Sequence, residues 1–490
     1  MKNTRLPELL APAGDRERLE AALLYGADAV YLGGPELSLR AASGFTPEET
    51  AAAVELAHAR GARVHYCLNA LPRQAQMGAV RRAIEAVRGT GVDAFIVADP
   101  GVLALARRLA PHVPLHLSTQ ANTANAEAVA FWRDQGVARV VLARELDAPG
   151  VRAVRDACPD MELELFVHGA MCMAISGRCL LSAHLSGRSA NQGACTHPCR
   201  YEYRPLEAAG TDGETAGAGM DARDAARGPA AFEERTRPGR ATWEVERHGG
   251  YDHFFAAEDL CLVRYAAWFA RLGIAAVKIE GRTKTAGYVA QVVHAWRAAL
   301  DAVGAGFRGT EALGAGSMGP NAVEPNASAA TAPEISAART DFDVADYLDE
   351  LRNAATRPLC TGFFLPDGRR AVLDAAAPEE RRPVVARVLE RVPERLADHT
   401  DAGTWRVAVR APWSPADAAR VLVPRGRYAD LAPGGYALLA EPRPDGAPPD
   451  APAPAPIPMD RAHPGTTALL RCTDAKAAAH LAPGVFLRRA

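Results

Sequence analysis

Nine cysteines are spread unevenly along the 490 residues, and five of them fall between Cys172 and Cys261. The densest stretch, HGAMCMAISGRCLLSAHLSGRSANQGACTHPCR, runs from His168 to Arg200. Six residues separate Cys172 from Cys179, fifteen separate Cys179 from Cys195, and three separate Cys195 from Cys199. Thiolates are soft ligands that suit iron–sulfur clusters or zinc. Zinc sites usually show tight C-x₂₋₄-C pairs, and only Cys195 and Cys199 form one. The wide, uneven spacing favours a [4Fe–4S] cluster, with zinc as the alternative and unliganded core cysteines as the third reading. Cys67, Cys158, Cys360 and Cys472 are scattered, as small buried apolar residues are.

The compartment bears on that reading. No apolar stretch of signal-peptide length precedes Pro12, and no run approaches the roughly 18 apolar residues of a membrane span. A cytoplasmic location with no membrane partner is expected, and there clustered thiols point to metal or redox chemistry rather than disulfides. The composition, 48% hydrophobic and 23% charged, is that of an ordinary globular chain. A net charge of −2 excludes a globally basic nucleic-acid coat but leaves room for a local basic face.

The elements that must position these cysteines repeat one unit, a short apolar run followed by a helix-period stretch. The runs are ELLAPAG (Glu8 to Gly14), AVYLGG (Ala29 to Gly34), RVHYCLNA (Arg63 to Ala70), AFIVADP (Ala94 to Pro100) and LHLSTQ (Leu115 to Gln120). VVLARELD (Val140 to Asp147), ELELFVHGA (Glu162 to Ala170) and AVKIEGR (Ala276 to Arg282) complete the set. Strands alternating with helices argue for a parallel sheet. Eight units predict an α/β chain built on a (β/α)₈ TIM-like barrel, with the active site at the strands' C-terminal ends. An open doubly wound sheet is the competing reading, but no GxGxxG follows the first strand.

The barrel is expected over residues 1–302, with a cysteine-rich insertion at 171–261 whose tract Glu207 to Ala241 reads as a disordered loop. A low-complexity linker over 303–340 and a helical connector over 341–381 follow. Short β-like runs from 382 to 490 predict a small C-terminal β-barrel-like domain.

Position at the strand ends nominates further residues. Lys278, Glu280 and Arg282 alternate along the eighth run, so they share one face if the strand is regular. A bare buried charge cluster is costly unless paired or used. The functional reading gives Lys278 and Glu280 catalytic roles, with Arg282 and Lys284 binding phosphate or carboxylate. The competing reading is a structural ion-pair network. His168, which ends the seventh run beside the cysteines, is a candidate for proton transfer or for orienting a neighbour. Gln120, Asn122 and Glu145 are candidate substrate-binding residues, and Asn69 joins them as polar lining of the mouth. Arg188 and Arg200 could contact phosphates or neutralise an anionic cluster.

The cysteine stretch resembles the signature of the collagenase-like peptidase family of unknown catalytic type, the U-32 family. The matching residues are Glu164, Phe166, Gly169, Ala170, Cys172, Gly177, Cys179 and Ser182. ELLAPAGD, ADAVYLGG, VADPGVL, LSTQAN, EDLCL (Glu258 to Leu262), VKIEGRTKTAGYVA, CTGFF and the terminal PGVFLRRA are similar to further blocks of the same family. The resemblance implies hydroxylation chemistry more than proteolysis. It points most to the branch acting on the wobble uridine of tRNA, with prephenate as a co-substrate and an electron-transfer partner. It implies a [4Fe–4S] cluster on Cys172, Cys179, Cys195 and Cys261, with Cys199 in reserve. The alternatives are a peptidase and an accessory iron–sulfur protein of quinone-ring or rRNA hydroxylation. Proteolysis is poorly served by the residues, since HExxH and GxSxG are both absent.

Overall fold

The computed structural model describes residues 6–35, 44–200 apart from 173 and 193, 203–206, 231–234, 242–244 and 258–312. It also describes 344–366 apart from 356, then 373, 382–392, 402–441 apart from 427, and 456–490. In chain order the first units are β1 (Glu8–Pro12), α1 (Arg16–Leu24), β2 (Ala29–Gly33), α2 (Pro47–His58), β3 (Arg63–Leu68), α3 (Met77–Val87), β4 (Ala94–Val97) and α4 (Pro100–Leu109). They continue with β5 (Leu115–Leu117), α5 (Ala126–Asp134), β6 (Arg139–Val141), α6 (Ala148–Ala157), β7 (Glu162–Ala170) and α7 (Leu181–Ser186).

Local chemistry sets the strand-to-helix turns. Asp15, Asp99, Asn125 and Asp147 each cap the following helix by accepting a backbone N–H two or three residues on. Pro follows the cap of α4 and lies in the first turn of α6, where its missing N–H is harmless. Thr46 and Glu49 form a reciprocal capping box on α2.

After α7 come three short antiparallel strands, β8 (Tyr203–Leu206), β9 (Ala231–Glu234) and β10 (Thr242–Glu244). β9 lies inside the tract expected to be a disordered loop; the rest of that tract lies outside the described residues. The chain re-enters the barrel through β11 (Asp259–Cys261), α8 (Ala266–Leu272) and β12 (Ala276–Ile279). Strands β1 to β7 pair in parallel, in order, and β12 pairs in parallel with both β1 and β7. The eight expected runs therefore close a (β/α)₈ barrel.

Two features were not expected. β11 lies antiparallel against the upper part of β7, with Asp259 opposite Ala170 and Cys261 opposite His168. Strand β13 (Leu359–Cys360) then adds to β11 in parallel, so the connector supplies a strand to the barrel sheet. Between them lie α9 (Ala286–Ala312), which runs ten residues beyond its expected end at Ala302, and α10 (Val344–Ala354). Among the described residues, no helix is long and apolar enough to cross a membrane.

The C-terminal unit is an antiparallel sheet of β14 (Val384–Arg391), β15 (Gly403–Val409), β16 (Ala419–Val421), β17 (Ala429–Leu431), β18 (Tyr436–Ala440), β19 (Ile457–Pro458), β20 (Thr467–Cys472) and β21 (Phe486–Arg489), with the one-turn helix α11 (Ala475–Ala478). It packs around its own core, including Trp405, Trp413, Val421, Leu470 and Leu487. The unit docks on the barrel through α1, α9 and α10. Tyr25 donates to the Leu422 carbonyl at 2.9 Å, and Arg488 meets Glu350 at 2.8 Å with both side chains buried. His294 on α9 lies among Tyr25, Tyr347 and Tyr428 at ring distances of 5.4 to 5.9 Å.

Candidate active site

The lower barrel interior is a polar layer. Glu8, at the start of β1, pairs with Arg63 and with Arg139, which also reaches Glu162 and Glu164. His65 and His116 stack edge to face at 4.7 Å within this layer, and burial holds both imidazoles well below their usual range. Lys278 belongs to the same network, its Nζ 2.9 Å from Glu164 Oε1. Three carboxylates (Glu8, Glu162, Glu164) thus meet three cations (Arg63, Arg139, Lys278), so the layer balances its charge. Leu10, Ala29, Tyr31, Cys67 and Ile96 form an apolar cluster among the inward-facing residues.

The mouth lies above. Of the shared face expected for Lys278, Glu280 and Arg282, only Lys278 lies within the strand, because β12 ends at Ile279; the register shift beside it places one extra residue, Val167, in β7. Lys278 stays in the interior, its ammonium 4.5 Å from the Tyr31 ring centre and 5.2 Å from that of Phe166. Glu280 stands against Gly169, whose φ of +99° and 2.5 Å approach of a would-be Cβ to the Glu280 carbonyl exclude a side chain there. Buried Arg282 reaches across to the Cys67 thiol. Lys284 pairs with Asp259 at 3.5 Å and sits 5.1 Å from the Tyr288 ring centre. Tyr288, at the start of α9, donates to the Glu280 carbonyl at 3.2 Å.

His168 is brought to this corner. It is buried, its Nδ1 has no hydrogen-bond partner among the described residues, and its ring lies 6.3 Å from that of Tyr288. Burial, reinforced by the Lys284 charge, drives its imidazole down to about 3, so it is neutral at physiological pH. Arg144 was missed by sequence reasoning. Its guanidinium lies 4.0 Å over the Phe166 ring and donates to the Ala170 carbonyl at 2.9 Å, fixing the root of the cysteine loop. Glu145, next to it and expected to bind substrate, is exposed to solvent. Arg144 and Glu145 carry the same positional signal after β6, and only the three-dimensional fold separates them.

The cysteine loop is stitched across the mouth. Asn122, with φ of +55°, donates to the Ser176 carbonyl at 2.8 Å and accepts from Arg178 Nε at 2.9 Å. Asn122 therefore holds the loop, whereas it was expected to bind substrate. Gly177 lies so close to Gln120 that a Cβ would approach its Cβ to 2.8 Å. On the far side, Leu71 N–H donates to the Asn191 carbonyl at 3.0 Å, and Asn191 Oδ1 accepts from Cys179 N–H at 3.3 Å. Gln120 is buried and linked through Ser118 Oγ to Asn69.

The cysteines divide by exposure. Cys172 is exposed and Cys179, Cys195 and Cys199 are half-buried on the loop, while the other five are buried. Cys261 sits opposite His168, inside the core cluster, with its thiol pushed up to about 12 by burial. Among the described residues, no three His, Cys, Asp or Glu side chains converge as a metal site. The loop matches a [4Fe–4S] cluster or zinc in its donor chemistry, several accessible reduced thiols, without a preassembled cage.

Fold and site together define a β/α-barrel protein whose mouth is covered by a cysteine-bearing loop. The sequence profile of peptidase family U32 matches residues 14–317, and the chain belongs to that family. It is 38% identical over 318 residues to tRNA hydroxylation protein P of Escherichia coli (strain K12), covering 61% of this chain and 69% of that one. It is 40% identical over 302 residues to tRNA hydroxylation protein P1 of Bacillus subtilis (strain 168), covering 61% and 64%. To a collagenase of Porphyromonas gingivalis (strain ATCC BAA-308 / W83) the identity is 30% over 319 residues, covering 63% and 68%.

Proposed function

We propose that the protein is an RNA-modifying enzyme that hydroxylates C5 of the wobble uridine in tRNA. The observation that carries this reading is the 38–40% identity to two tRNA hydroxylation proteins, which exceeds the identity to the collagenase. The site is consistent with it. A base must leave its stack to reach a barrel interior, and Arg282, Arg144 and Lys284 give the mouth a cationic rim for phosphate or for a carboxylate co-substrate such as prephenate. Neutral His168 has a buried nitrogen able to accept a proton at Nδ1 or donate one there, according to its tautomer.

Cys172, Cys179 and Cys195, with Cys261 or Cys199 as fourth, would hold a [4Fe–4S] cluster. Such a cluster supplies single-electron transfer, here in exchange with an electron-transfer partner. A peptidase reading lacks its nucleophile–base pair among the described residues, where the candidate base His168 has no partner at Nδ1 and Ser176, on the loop itself, is buried.

Nucleoside mass spectrometry of tRNA from a deletion strain tests the reading. Loss of 5-hydroxyuridine derivatives, restored by the wild-type gene and not by H168A, is expected; unchanged levels would overturn it. Iron and sulfide analysis after anaerobic purification tests the cluster separately. About four of each per chain is expected for a [4Fe–4S] cluster, falling on Cys179→Ala, whereas a colourless zinc protein sinks it.

A further inference from the structure

We propose that the cleft between the cysteine loop and α4/α5 is a second nucleobase subsite, taking an unpaired base next to the reacting one. The inference rests on the RNA reading above and deepens it. The cleft is a cavity of about 270 Å³ walled by Leu71, Asp99, Gln120, Trp132, Gly177 and Arg178 among others. That is near the small end of ligand pockets and suits a single heterocycle.

Three observations give the cleft its chemistry. Trp132 forms one wall and packs edge to face against Phe131 at 5.1 Å, while Phe131 is 55% exposed at the surface. An indole lining a cleft can stack on any base whatever its sequence. Gln120 is only 4% exposed and has no partner at Nε2. Its Oε1 accepts from Ser118 Oγ at 3.3 Å, so either amide orientation leaves one end unpartnered. A turn of the Gln120 side chain toward the cleft would bring such an end to a base edge, and Asp99 keeps one carboxylate oxygen beyond its cap to Val102 N–H for an exocyclic amine.

Arg178 adds the charge. It is exposed, yet Asn122 fixes its Nε at 2.9 Å, so its guanidinium stands at the cleft's edge ready for a phosphate. The same Asn122 bond to Ser176 holds the loop wall in place. Gln120 also belongs to the Asn69–Ser118 cluster of the mouth. A base in the cleft therefore lies beside the one entering the barrel, and stacking it would hold the strand in an unstacked, splayed path.

Fluorescence anisotropy of the whole protein with a fluorescein-labelled RNA stem-loop carrying a loop uridine tests this. The same stem-loop is also measured with an abasic nucleotide at each loop position in turn. One abasic position adjacent to the reactive uridine should weaken wild-type binding about tenfold. Trp132→Ala should weaken the intact stem-loop about as much and abolish the penalty of that abasic position, while Trp132→Phe retains most of the affinity. Arg178→Ala should lose several-fold with a shallower salt dependence. Additive losses for Trp132→Ala and every abasic stem-loop, or no loss for a folded Trp132→Ala, would overturn the subsite. If Trp132→Ala does not fold by circular dichroism, the wild-type abasic scan and Arg178→Ala decide. A wild-type protein that binds no stem-loop defeats the RNA reading itself; one that binds it with Trp132 indifferent defeats only the cleft.

Discussion

Lys278 is where a catalytic and a structural role compete, and its surroundings weigh toward structure. Its ammonium is held by Glu164 beneath two aromatic faces, and Glu164 is in turn tied to Arg139. Removing one partner of a buried pair leaves an uncompensated charge, a loss of about 3–5 kcal/mol. Lys278→Met should therefore lower the unfolding free energy from urea titration by that amount. The double variant Lys278→Met/Glu164→Gln should recover much of it, because the layer's charges balance again. A Lys278→Met protein of wild-type stability would show that the pair is not load-sharing in the folded state. Arg144 is the opposite case, a half-exposed cation whose work is local. Arg144→Ala should cost about 1–2 kcal/mol, the worth of one cation–π contact and one charged hydrogen bond, again read from urea titration.

At the scale of elements, the cysteine loop depends on a few side-chain bonds to its neighbours. Asn122→Ala removes both of its contacts and puts alanine, which tolerates the left-handed region less well than asparagine, at φ of +55°. The barrel core is untouched, so global melting should move little while hydrogen exchange of residues 174–182 rises about tenfold or more. Unchanged exchange there would mean the loop is anchored elsewhere. The eight barrel strands were legible because each is an apolar run bounded by a cap or glycine, and parallel strands buried on both faces read this way. β11 and β13 were not. They are three and two residues long, too short for any period to register, and each is defined by a partner about a hundred residues away. The same gap explains the site. His168, Arg282 and Gln120 could be placed at the mouth by strand order alone, but the extra residue Val167 in β7, the stapling role of Asn122 and the contact of Arg144 with Phe166 follow from packing that no local pattern encodes.

At the scale of the whole molecule, the described residues join the C-terminal sheet to the barrel through the buried Arg488–Glu350 pair, the aromatic cluster around His294, the Tyr25 hydrogen bonds and the ion pairs of Arg387 and Arg410 with α1. Both ring nitrogens of His294 lack partners, and burial drives its imidazole down to about 4. A base whose folded value is depressed stabilises fully above its unfolded value near 6.5, and that contribution is lost as pH falls toward 4. His294 alone should account for about 3 kcal/mol across that window. His294→Phe, of similar shape, should flatten the decline in unfolding free energy between about pH 6.5 and pH 4, and an unchanged slope would assign the acid sensitivity to His65, His116 and His168. Arg488→Met should loosen the joint by about 3–5 kcal/mol, seen as a separate early transition in calorimetry.

The pairing of β11 with β13 also sets a schedule. During synthesis the barrel strands emerge in order and can begin to associate. The far root of the cysteine insertion, however, gains its outer neighbour only once residues 359 and 360 have left the ribosome. A nascent chain halted after α9 would carry all eight barrel strands yet leave β11 as a bare sheet edge, so the cover over the mouth is the last part of the barrel to be secured.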